Sequence, residues 1–104
     1  MTIINDEPTF DTNGYPTADT LRYIEDRPIL SRSSLSDLFD FIQRAWNSYG
    51  KCSVLSDGET QEIVFITGGW PGNESLIESL MLNKEAWNTA WYQSTRGGKY
   101  MFVF

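Results

Sequence analysis

At 104 residues the chain is long enough for one hydrophobic core and too short for two. Apolar residues make up 40% and aromatics 14%, which excludes disorder as the default and supplies rings for a core and an interface alike. A net charge of −6 excludes the basic footprint of direct nucleic-acid binding, and a single cysteine, Cys52, excludes an internal disulfide and points to the cytoplasm.

Residues 1–16 (MTIINDEPTFDTNGYP) are polar, carry two prolines, and hold an Asn13-Gly14 turn signal. They read as an extended acidic arm before a single compact domain over 17–104. Neither a signal peptide nor a membrane span is expected. The charge concentrates at this end: Asp6, Glu7, Asp11, Asp19, Glu25 and Asp26 face Arg22 alone within residues 1–26. Such a segment either solubilises the chain or docks on a protein that normally binds nucleic acid.

Thr17 caps a short helix over 18–26, with Leu21 and Ile24 as its apolar stripe, and Arg27-Pro28 closes it. Ser33 or Ser34 then caps a helix over about 34–48. Leu35, Leu38, Phe39, Ile42, Ala45 and Trp46 recur there at three- and four-residue steps, and Gly50 suits the position after its end. KCSVLS and QEIVFIT follow as strands joined by an Asp57-Gly58 hairpin turn. A third helix is expected from about Asn73 to Asn83, capped by Asn73 or Gly72. AWNTAWYQ and KYMFVF form a second hairpin around STRGG.

The order α-α-β-β-α-β-β predicts an α+β domain with a four-stranded, mainly antiparallel sheet. Following the strand directions, the spatial order 1-2-4-3 makes every neighbour antiparallel and puts KYMFVF in the interior of the sheet. That order also places TGGWPGNE and STRGG at one end of the sheet. If the helices cover one face only, several aromatics stand open on the other, a patch suited to a partner or a homodimer.

The glycine-rich loop admits two readings. It lacks both the Gly-Lys-Ser/Thr ending of a nucleoside triphosphate loop and the GxGxxG pattern, and Pro71 removes a donor, so a structural turn is favoured. An anion site remains open, built from Gly68, Gly69, Gly72 and Asn73 with Arg96, Gly97 and Lys99, and with Trp70 or Tyr100 for stacking. Glu74 is the expected internal partner of Arg96. Trp70, between Gly69 and Pro71, is the strongest candidate anchor for a protein partner.

Catalysis is not expected. Histidine is absent, one cysteine stands without a base, and the carboxylate pairs Glu74/Glu78 and Asp37/Asp40 fall on solvent faces of helices. No spacing suggests a metal site or a cofactor.

The segments GGW-x-x-NE and R-G-G-x-Y-x-F, within residues 67–104, resemble those of a group of small uncharacterised phage and prophage proteins, and DTNGYPT is similar too. The matching positions are Gly68, Gly69, Trp70, Asn73 and Glu74, then Arg96, Gly97, Gly98, Tyr100 and Phe102. The resemblance implies provenance. By analogy with small acidic phage proteins that lack catalytic groups, it implies a binder that blocks a host factor, a CRISPR-type defence component among the candidates. The alternative is a small-ligand or nucleotide sponge working through the two glycine loops.

Overall fold

The computed structural model describes residues 6–104. The elements run α1 (Ala18–Asp26), α2 (Arg32–Ala45), β1 (Lys51–Asp57), β2 (Thr60–Ile66), α3 (Pro71–Leu82), α4 (Lys84–Ala90), β3 (Trp91–Thr95) and β4 (Lys99–Val103). The strands form one antiparallel sheet in the order β1-β2-β4-β3, the order expected from the strand directions.

Alternation along β2 and β4 decides which face meets the helices. Ile63, Phe65 and Phe102 are fully buried, while Val64, Ile66, Met101 and Val103 between them are only half-covered. Phe39 of α2 meets Phe65, Phe102 and Phe104, with ring centroids 6.3, 5.0 and 5.2 Å away. Trp87 of α4 stands edge-on to Phe102 at 5.5 Å. The helices thus cover one face. Along β2 and β4 the open face carries Val64, Ile66, Met101 and Val103 rather than the expected aromatics, because Tyr100, Phe102 and Phe104 all turn toward the core. On β3, Tyr92 is 62% exposed.

Several boundaries differ from the sequence reading. α2 starts early because Ser31, not Ser33 or Ser34, is its cap: Ser31 and Ser34 exchange side-chain and backbone hydrogen bonds in a capping box. It ends at Ala45, short of position 48, and Gly50 does not terminate it. Trp46 leaves the helix in an extended conformation (φ −70°, ψ 133°), packs on Phe65 at 4.6 Å and donates its indole N–H to the Ile66 carbonyl. α3 starts at Pro71 with Trp70 as cap, because proline is preset for the first helical position.

The segment expected to be strand from Ala86 to Gln93 is mostly helix. Asn83 caps α4, its side chain accepting the Ala86 N–H at 3.2 Å, and strand geometry begins only at Trp91. The described residues therefore form four helices, and Trp87 and Trp91, on different elements, do not share a strand face. They stack all the same, at 6.1 Å and 15°, across the helix-strand junction.

The acidic arm is also more structured than expected. Residues 1–5 lie outside the described residues. From Asp6 onward the chain folds onto the body, with a small bridge between Phe10 and Pro16. Thr9 donates its N–H to the Thr20 hydroxyl at 2.8 Å, and that hydroxyl donates to the Thr9 carbonyl at 2.9 Å.

Candidate interaction surface at the glycine-loop end

β2 and β3 run the same way, so the loops after them share one end of the sheet. The contact is direct: Thr67 donates its N–H to the Gly98 carbonyl at 3.0 Å. Gly98, at φ +79°, lies so close that a Cβ there would stand 2.3 Å from the Thr67 hydroxyl.

Asn73 fixes the base of this end from inside α3. Its side chain accepts the Asn47 N–H at 2.9 Å and donates to the carbonyls of Asn47 and Thr67, both at 3.2 Å. One buried amide thereby ties the segment after α2, the glycine loop and the helix. Gly68, at φ +67°, lets the Tyr49 backbone approach, since a Cβ there would meet the Tyr49 oxygen at 2.1 Å. Tyr49 is in this way held beside the loop.

A third segment arrives from the N-terminus. Asp11 accepts the N–H groups of Asn13 and Tyr15 at 2.8 and 3.0 Å and donates its own N–H to the Tyr15 carbonyl. This Asx-type turn has Asn13-Gly14 at its tip and fixes Tyr15 where it closes, opposite Asp11. The outcome is a ring cluster from three distant parts of the chain. Tyr15 stacks on Trp70 at 4.8 Å and 16°, and Tyr49 lies 6.1 Å from Trp70 at 30°. Trp70 folds back over its own helix, its ring occupying the space a Cβ on Gly72 would need.

Trp70 is accordingly half-buried, while Tyr49 is 73% exposed and Tyr15 37%. The sequence pointed to Trp70 and missed the two tyrosines. Their signal was there in NGYP and NSYG, where a ring sits beside a turn glycine.

The remaining candidate residues divide. Glu74 is exposed on the first turn of α3, and Gly69, Gly97, Arg96 and Lys99 are exposed on the two loops. Among the described residues no ion pair joins Arg96 to Glu74, so the expected bridge is absent. Tyr100 is not a stacking platform for this end: it turns to the covered face, 6.4 Å from Trp87. Of the acidic group, Asp6 accepts the Tyr23 hydroxyl at 3.0 Å and Glu7 pairs with Arg44 at 3.1 Å. Asp11 holds the turn just described, and Asp19 sits in the first turn of α1.

At the opposite end, Ile29, Leu30, Leu35, Thr89 and Phe104 line an apolar groove of about 450 Å³. Arg32 borders it, with its guanidinium donating to the Phe104 carbonyl at 3.1 Å.

Burial pushes the Cys52 thiol up to about 11, which keeps it protonated and poorly nucleophilic at neutral pH. Burial also raises Tyr23, helped by its hydrogen bond to Asp6. Among the described residues, no group of three His, Cys, Asp or Glu side chains could hold a metal ion, and no helix is long and apolar enough to cross a membrane. Compared with models of protein families, with curated proteins and with solved structures, the chain matches none.

Proposed function

We propose that this chain is a non-enzymatic accessory protein of phage type that binds and blocks a host protein, a component of a host defence system being the partner class. The observation that carries the reading is the ring cluster Tyr15–Trp70–Tyr49, stacked and partly open to solvent on a base bolted by Asn73. Rings already held in place lose little conformational entropy on docking, and aromatic anchors dominate interface energetics. Exposed Asp11 and Glu74 nearby supply acidic polar groups for a rim that meets a basic partner surface.

The test is capture from lysates of hosts that carry different defence systems. The intact protein recovers a stoichiometric partner that salt releases. The double variant Tyr49→Ala/Trp70→Ala loses it while keeping its far-ultraviolet circular dichroism. Recovery of no partner from any host, or a partner that the double variant retains, overturns the reading.

The apolar groove at the other end favours a second reading, a small-ligand protein, since its volume falls in the range of ligand sites. Thermal shift separates the two. A ligand at 100 times its dissociation constant adds about 2.7 kcal/mol of stability, whether an apolar compound in the groove or a nucleotide on the glycine loops. Absence of any shift removes it.

A further inference from the structure

β1 is an edge of the sheet, and half of its backbone groups point away from the fold. The hydrogen bonds of β2 show which half. Gln61 donates its N–H to the Phe104 carbonyl at 2.7 Å, its own carbonyl accepts the Phe104 N–H at 3.0 Å, and Thr67 donates to Gly98. The odd-numbered residues of β2 thus bond toward β4, and its even-numbered residues bond toward β1. Thr60, Glu62, Val64 and Ile66 pair with Asp57, Leu55, Ser53 and Lys51. The N–H and C=O groups of Cys52, Val54 and Ser56 therefore face outward.

Edge strands normally carry a device against pairing. β3 has one, a register shift between Trp91 and Gln93. β1 pairs with β2 without any shift, contains no proline, and has no charge between Lys51 and Asp57. Val54 and Leu55 on it are 42% and 67% exposed.

We propose that β1 is a self-association edge, pairing antiparallel with β1 of a second copy about a two-fold axis through Val54. In that register Val54 faces Val54 of the second copy, and Cys52 faces its Ser56. Every outward N–H and C=O of Cys52, Val54 and Ser56 then finds a partner. Lys51 faces Asp57 of the second copy, twice by symmetry, and both side chains lie on the open face of the sheet. A slip of two residues leaves charges unmatched and outward amides unpaired. The strand's only two charges, at its two ends and of opposite sign, are thus complementary to themselves in the register that the backbone groups require. The pairing joins two sheets into one and uses none of the ring-cluster residues.

Sedimentation equilibrium on the intact chain tests this. The apparent mass rises with concentration from the 11.9 kDa of one chain toward twice that value. Lys51→Glu and Asp57→Lys each turn attractive contacts into repulsive ones and weaken the dimer about tenfold, the factor that ~1.4 kcal/mol produces. An equimolar mixture of the two variants restores association, because substituted faces substituted and native Lys51 faces native Asp57. Val54→Pro removes an outward N–H that the ladder to β2 does not use, and abolishes the dimer with the fold retained by circular dichroism. A chain that stays monomeric into the high-micromolar range overturns the proposal. So does a dimer indifferent to Val54→Pro, or a mixture that fails to restore association.

Discussion

Asn73 and Asn83 each bind backbone groups of segments far apart in the chain. Asn83 caps α4 while its amide donates to the Ile24 and Arg27 carbonyls, both at 2.9 Å, holding α1 to the junction of α3 and α4. Replacing either by alanine strands several buried polar groups at once, and one such group costs about 1–3 kcal/mol. Urea denaturation should show Asn73→Ala and Asn83→Ala each losing about 2–4 kcal/mol, a total of that size following from the same per-group cost. A loss no larger than that of an exposed substitution would show the amides to be dispensable. Cys52 offers a pH test. Its pKa rises from 9.0 to about 11 on folding, so the protonated form is favoured in the folded state. That contribution to stability is complete below about pH 9 and disappears as the pH climbs through about 11. Alkylation by iodoacetamide near pH 7.5 should be much slower in the folded chain than in urea, accelerating as the pH approaches 11. Equal rates folded and unfolded would contradict burial of the thiol.

Among the elements, the sheet was readable from sequence because strand direction and antiparallel pairing leave few orders for four short strands. α4 was not, and the reason lies in Trp87 and Trp91. A four-residue spacing fits both the strand period of two and the helical period of 3.6, so the rings alone could not decide. Asn83 followed by Glu85 in the first turn carried the deciding signal, a cap and a dipole-compatible carboxylate. The tyrosines of the candidate surface escaped for another reason. Tyr49 meets Trp70 because the backbone of residues 49–50 lies against Gly68, and Tyr15 because the Asp11 turn packs against the body; neither close approach has a periodicity. The join of the two glycine loops is similarly tight at Gly98. Gly98→Ala adds a Cβ 2.3 Å from the Thr67 hydroxyl at a backbone angle that disfavours side chains. It should cost about 1–3 kcal/mol in denaturation, the usual range for such strain, and loosen the loops. Gly97→Ala, with open space around the added methyl, should cost only the strain of its own positive φ.

For the whole molecule, the question is what holds residues 6–16 against the body, because Tyr15 reaches Trp70 only if they stay there. The hydrogen bond from Tyr23 to Asp6 is exposed at the arm's first described residue, which leaves three further contacts competing for the role. The Glu7–Arg44 bridge has side chains 65% and 36% exposed, and surface pairs of that kind are worth about 0–1 kcal/mol and are screened by salt. The Tyr15–Trp70 stack adds about 0.5–1.5 kcal/mol beyond its buried area. The threonine cluster is stronger in kind. Thr20 is fully buried, its hydroxyl both accepts from and donates to the Thr9 backbone, and the Thr9 carbonyl also receives the Thr17 N–H at 3.1 Å. Thr20→Val keeps the shape and removes the hydroxyl, leaving the part-buried Thr9 N–H without its partner, at a cost of about 1 kcal/mol, the low end for such a group. That cost should fall on the arm before the rest of the fold. Hydrogen exchange at Thr9, Asp11 and Tyr15 should speed up in Thr20→Val while the amides of β2 and β4 keep their protection. High salt on the unaltered chain should leave the same amides slow. If salt frees the arm and Thr20→Val does not, the ion pair holds it, and the ring cluster becomes a salt-sensitive surface instead of a fixed one.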